Sequence, residues 1–121
     1  MKIIRSFKYA FSGIRHGLEE HNMRFHVLAT IVVIALGFTF SITKIEWIAI
    51  LFSVGLVLSA ELVNTAVEEV CDLLTASHPS SYKKAGKPKD ISAGAVLIAA
   101  VVSLAIGLII FIPYIASSLS S

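Results

Sequence analysis

Three stretches of this chain, residues 25–42, 47–60 and 91–112, contain no Asp, Glu, Lys or Arg. Runs that apolar leave few folds open. A membrane-crossing helix needs about 20 mainly apolar residues, a length that the first and third runs approach or exceed by themselves. The second reaches it by continuing amphipathically to about residue 74, with its polar end emerging at the interface. Composition points the same way: 56% of the 121 residues are hydrophobic and 15% are charged, against roughly 25% charged in soluble domains. A single domain over residues 1–121 cannot hide that much apolar surface from water. The expected fold is an all-α membrane protein with transmembrane helices at 25–42, 47–74 and 91–112.

The basic residues set the expected orientation. Lys2, Arg5, Lys8, Arg15 and Arg24 precede the first span, Lys83, Lys84, Lys87 and Lys89 lie between the second and third, and only Lys44 sits in the 43–46 turn. Cytoplasmic loops carry the excess of Lys and Arg. The N-terminus and the 73–90 loop are therefore expected in the cytoplasm, and the short turn and C-terminus outside. Residues 1–20 lack the unbroken apolar core and cleavage site of a signal peptide. Ile3, Phe7, Ala10, Phe11, Ile14 and Leu18 instead share one helical face, with Arg5, Lys8, Ser12 and Arg15 opposite. That pattern suits a helix lying on an anionic membrane surface.

Punctuation along the rest of the chain is sparse. Trp47 suits an interfacial anchor, and Pro79, Gly86 and Pro88 mark residues 75–89 as irregular. Ala95, Ala99, Ser103 and Gly107 recur every four residues, a small-residue ridge for close helix approach. Pro113 is expected to end the third span, leaving a frayed tail. The lone Cys71 excludes an internal disulfide or a CxxC motif and reads as a small apolar filler.

The chemistry concentrates where the second span ends. SAELVNTAVEEVCDLL, residues 59–74, acquires Glu61, Glu68, Glu69 and Asp72 together with Asn64. Glu61, Asn64, Glu68 and Asp72 fall on one helical face. A carboxylate at membrane depth is costly unless paired, hydrated or bound to a cation, so it marks a functional candidate. A solvated helix end accounts for Glu69 and Asp72 but not for Glu61, about 16 Å deeper than Asp72 at the helical rise.

Carboxylates at a membrane surface beside lysines suit phosphoryl transfer. Acidic oxygens can hold Mg²⁺ shared with nucleotide phosphates, and a further carboxylate can take the proton of an attacking hydroxyl. Depth then assigns a lipid alcohol to Glu61 and the nucleotide to the region of Glu68. A second reading is a small oligomeric membrane transporter or ion-conducting protein that relays protons or cations through the same carboxylates. It explains Glu61, but neither the surface helix nor the lysine-rich loop. EEHNMRFH, residues 19–26, suits either metal ligation or an interfacial rim, and Gly86-Lys87 lacks the spacing of a P-loop.

ELVNTAVEEVCD at 61–72, SFKYAFSGIR at 6–15, EHNMRFH at 20–26 and KDISAGAVLIAA at 89–100 together resemble the small bacterial integral-membrane lipid kinases, the diacylglycerol and undecaprenol kinases. The four blocks keep the family's order and cover nearly the whole chain. The resemblance implies a homotrimeric helical bundle, each subunit with an N-terminal surface helix and three transmembrane helices. It implies a multi-pass protein of the bacterial cytoplasmic membrane, with ATP and a membrane lipid alcohol as partners and no nucleic acid.

Carried over by position, Glu61 would be the general base and Asn64 would orient the reacting groups. Glu20 and Glu68 would ligate the Mg²⁺ that bridges the ATP phosphates. Tyr9, Lys89 and Asp90 would border the nucleotide, and Arg15, Asn22 and Arg24 would join Glu61 around the lipid. SAELVNTA, the His-Pro of the loop and KDISAGAVLI are closer to the undecaprenol branch. Two departures limit the transfer. The interval from Gly13 to Arg24 is one residue shorter than usual, so Glu20 rather than Glu19 rests on the following His-Asn-x-Arg, and the longer 75–88 loop leaves any contact by His78 open.

Overall fold

The computed structural model describes residues 1–121 apart from the side chain of Ser81. Four α-helices follow one another: α1 (Lys2–Gly17), α2 (His21–Phe40), α3 (Lys44–Ser77) and α4 (Tyr82–Ser120), with a 3₁₀ turn at Pro79–Ser81 before α4. Helices α2, α3 and α4 are each long and apolar enough to cross a membrane, so the chain is an all-helical membrane protein. At the helical rise α3 is about 51 Å long, against a hydrocarbon core of about 30 Å. It is therefore longer than the hydrocarbon core is thick.

α1 keeps its apolar side chains, Ile3, Phe7, Phe11 and Ile14 among them, exposed, as a helix resting on lipid requires. Its one buried residue is Gly17. A Cβ there would run into the Leu62 side chain of α3, so the missing side chain lets the end of α1 lie on α3 beside Glu61. Arg24 Nε donates to the Leu18 carbonyl at 3.0 Å, closing the turn into α2.

The opposite end of the molecule is its packed scaffold. α2 stops at Ser41, which adopts the left-handed conformation (φ 50°). Thr43 then caps α3 in a reciprocal box: Thr43 N–H donates to Glu46 Oε1 at 2.9 Å and Glu46 N–H to Thr43 Oγ1 at 3.2 Å. Two orphan amide groups are thereby satisfied in a three-residue connection. Trp47 packs on Gly37, where a Cβ would come within 2.6 Å of the indole. Ile42, Ile50, Ile110 and Phe111 form the core beneath, and Phe40, Trp47 and Tyr114 close around it.

α4 packs along α3 as the most extensive helix pair, and here the sequence expectations need correction. Residues 82–89 are the first turns of α4 rather than loop, and Pro88 and Pro113 both lie inside the helix. Proline forfeits one backbone hydrogen bond, and packing holds the helix together around it: Ala85 is buried near Pro88, and Ile110 and Phe111 near Pro113. The expected frayed tail is helical through Ser120. The small-residue ridge serves α3 at Ala99, which is buried, and at Ser103, whose hydroxyl donates to the Ser53 carbonyl at 3.3 Å. At Gly107 a Cβ would meet nothing within 4 Å, because that residue borders the open cleft between α2, α3 and α4.

Candidate active site

Counted along the axis of α3, Glu61 lies about 21 Å and Glu68 about 32 Å beyond Trp47, against a hydrocarbon core of about 30 Å. Glu61 and Asn64 are only 3% and 4% exposed. Glu68 is half-buried, and Glu69 and Asp72 are exposed. This gradient reflects how closely α2 and α4 pack on that face, through His26 at Glu61 and Ser92 at Asn64.

Specific partners fix that face. His26 of α2 brings Nε2 to 3.7 Å from Glu61 Oε2. Asn64 Nδ2 donates to Glu68 Oε1 at 3.0 Å, one turn away on the same helix. The other end of the amide is held from α4, where Ser92 Oγ donates to Asn64 Oδ1 at 2.6 Å. Further out, Lys89 Nζ and Asp72 Oδ1 form an exposed ion pair at 2.9 Å. Glu20 occupies the cap position of α2 with an extended backbone, and its carboxylate makes no capping bond. It lies within electrostatic range of Glu61, as Glu68 does.

The fold thus places Glu61, Asn64 and Glu68 along one face of α3, with Lys89 tied to Asp72 further out and Glu20 at the head of α2. Arg24 is engaged with the end of α1. Tyr9 is 68% exposed on α1, and Arg15, Asn22 and Asp90 are exposed too. Among the described side chains these last four make no hydrogen bond or ion pair within the chain. Two residues outside the sequence-derived set join the site, His26 and Ser92. His26 belongs to the polar segment 19–26, but its partner is 35 positions away, beyond the reach of helical periodicity. Ser92 lies about three turns into α4, where the uncharged run 91–112 begins, and a polar side chain in a spanning helix is itself a signal.

Two hollows lie along α3, and among the described residues no carboxylate lines either. A cleft of about 520 Å³ runs between α2, α3 and α4, with His26, Val33, Val57, Ser103 and Phe111 among its walls. Glu61 follows Val57 by one turn of α3, so the cleft leads from the apolar interior toward that carboxylate. A shallower recess of about 480 Å³ between α3 and α4 is bordered by Lys84, Lys87 and Ser92. The chemistry available is a buried carboxylate one turn beyond the wall of an apolar cleft and a second carboxylate, oriented by an amide, that is half-buried.

Among the described residues no three His, Cys, Asp or Glu side chains converge closely enough to cage a metal ion. The oxygen donors that are present suit a cation held by one or two carboxylates, with phosphates and water completing the shell, which is how Mg²⁺ is usually bound.

The sequence profile of the prokaryotic diacylglycerol kinases matches residues 8–111. The undecaprenol kinase of Bacillus subtilis (strain 168) is 41% identical over 113 residues, covering 93% of this chain and 89% of the relative. A diacylglycerol kinase of Synechocystis sp. is 32% identical over 113 residues, covering 92% of this chain and 63% of that protein. The diacylglycerol kinase of Haemophilus influenzae is 34% identical over 98 residues, covering 80% of each.

Proposed function

Since the chain belongs to the prokaryotic diacylglycerol kinase family and is a lipid kinase, we propose that it moves the γ-phosphoryl group of ATP to undecaprenol first and diacylglycerol second. The carrying observation is the acidic face of α3: Glu61 is 3% exposed on a helix long and apolar enough to cross a membrane, and Glu68 lies two turns further along, held by the Asn64 amide. One helix so offers a proton acceptor to a lipid and an oxygen ligand to a nucleotide. The undecaprenol preference rests on the Bacillus subtilis relative, 41% identical against 32% and 34% for the two diacylglycerol kinases.

In this reading the alcohol enters with its chain along the apolar cleft and its hydroxyl at Glu61. Glu61 takes the hydroxyl proton as the oxygen forms its bond to the γ-phosphorus, and the bond from that phosphorus to the bridging oxygen breaks, releasing ADP. His26, beside Glu61 Oε2, keeps the carboxylate facing the cleft. Glu68 and Glu20 would hold Mg²⁺, which neutralises charge on the phosphates when bound. Asn64 keeps Glu68 oriented, and Lys89 and Asp90 border the nucleotide. Arg15, Asn22 and Arg24 belong to the rim where the lipid arrives, and Tyr9 to the edge of the nucleotide site.

Assembly as a homotrimer fits the isolated subunit. Tyr9, Arg15, Asn22 and Asp90 are exposed, so a neighbouring copy can complete the site around them. Orientation follows the lysines and arginines, with the N-terminus and the carboxylates on the cytoplasmic side. The test supplies γ-labelled ATP to the purified protein in vesicles carrying undecaprenol or diacylglycerol. Label is expected in undecaprenyl phosphate above phosphatidic acid. Label in neither lipid, with ions or solute crossing sealed vesicles in the absence of ATP, would establish the transporter reading instead.

A further inference from the structure

Ser92 is the residue of α4 that the catalytic face of α3 depends on and that no assignment above includes. Its hydroxyl lies 2.6 Å from Asn64 Oδ1 and 3.0 Å from the Lys89 carbonyl. The second contact is the ordinary back-bond of a helical serine. The first reaches across 28 positions of sequence to another helix.

A polarity argument selects between them. The hydroxyl has one proton to give. Ionised Glu68 can only accept, so at 3.0 Å the Asn64 atom facing it must be the amide nitrogen. The Asn64 oxygen then faces Ser92, and two oxygens at 2.6 Å require the Ser92 proton between them. With the proton given to Lys89 instead, the amide would gain by flipping, and its oxygen would then stand against the Glu68 carboxylate. Charge on Glu68 therefore fixes the amide, and the Ser92 hydroxyl holds that choice from the far side. Asn64 is 4% exposed, so water does not readily replace the serine.

We infer that Ser92 is a positioning residue for the nucleotide half of the site: by donating to Asn64 Oδ1 it locks the amide that holds Glu68 Oε1, leaving Glu68 Oε2 free for a divalent cation carrying a nucleotide. The inference rests on Glu68 being a metal ligand, as proposed above. It assigns Ser92 to ATP and not to the lipid, because its line of contact runs through Asn64 to Glu68, outward of Glu61.

The test compares wild type with Ser92→Ala, Ser92→Thr and Glu68→Gln in vesicles. Binding of Mn²⁺ with a non-hydrolysable ATP analogue is followed by electron paramagnetic resonance, and KM is measured separately for MgATP and for the lipid. Ser92→Ala should weaken Mn²⁺-nucleotide binding about tenfold, equivalent to about 1.4 kcal/mol, and raise KM for MgATP by a similar factor. KM for the lipid should stay within about twofold of wild type, and Ser92→Thr, which keeps the hydroxyl, should recover most of the loss. Should Ser92→Ala fail to fold, Ser92→Cys, with its weaker donor, should fall between wild type and complete loss of the cation. Wild-type binding in Ser92→Ala or Ser92→Cys, equal losses for both substrates, or no rescue by Thr would each overturn the inference. Loss in Glu68→Gln with none in Ser92→Ala would overturn the role of Ser92 alone. No loss in Glu68→Gln would remove the metal-ligand reading and the inference with it.

Discussion

Replacing Glu61 with Gln is the sharpest perturbation this site allows, because it changes charge and basicity while leaving shape almost untouched. Positioned general bases contribute about 10² to 10⁴ in rate, or about 2.7 to 5.4 kcal/mol of barrier at 1.36 kcal/mol per decade. The structure argues for the upper half of that range. Glu61 is 3% exposed, so bulk water has little room to take over the proton, and kcat should fall by about 10³ or more.

Two other quantities should hold still. Glu68 stands seven residues further along α3, about 10 Å by the helical rise, and its bond from Asn64 does not involve Glu61, so KM for MgATP should stay within about twofold of wild type. An amide buried in a spanning helix costs less than a carboxylate, so the folded protein should be at least as stable as wild type. The assay follows transfer from γ-labelled ATP to undecaprenol in vesicles, with oligomer size checked by chromatography and thermal unfolding by the fluorescence of Trp47, the one tryptophan present. A kcat within tenfold of wild type in a properly assembled variant would refute Glu61 as the base. A parallel collapse of stability would show that its place is structural.

Three further outcomes follow from named contacts. Gly37→Ala would drive a Cβ to within 2.6 Å of a rigid indole, and overpacking of that kind costs about 1–3 kcal/mol, so thermal unfolding should shift downward with a change in Trp47 emission while transfer chemistry persists in the folded fraction. The Lys89–Asp72 pair has exposed side chains and should contribute less than about 1 kcal/mol to stability; Lys89→Gln should therefore raise KM for MgATP with little change in unfolding, whereas Asp72→Asn frees the lysine and should leave that KM level or lower. Chelation by EDTA should stop transfer and added Mg²⁺ restore it, while Ca²⁺, larger and more loosely coordinated, should restore little; full activity in EDTA would remove Glu20 and Glu68 from the proposed metal site.

Much of this architecture is written locally in the chain. Uncharged runs at 25–42, 47–60 and 91–112 force helices, because only a helix or a closed barrel satisfies its backbone in lipid. The amphipathic face of Ile3, Phe7, Phe11 and Ile14 makes α1 a surface helix through periodicity alone. Glu61, Asn64 and Glu68 are aligned by helical spacing, so their common face was legible before any neighbour was known. The family blocks identify the chemistry, since they span most of the chain.

Every relation that a helix imposes on its own residues is readable from spacing. Relations between helices come from packing. Pro88 and Pro113 read as breaks, yet α4 runs through both, because packing around Ala85, Ile110 and Phe111 outweighs one lost hydrogen bond at each. That His26 faces Glu61 and Ser92 secures Asn64 follows from how α2 and α4 are rotated against α3. Rotation depends on which small residues let backbones approach, as Gly17 does beneath Leu62 and Gly37 beneath Trp47, and that balance of packing has no counterpart in the spacing of a single strand of sequence.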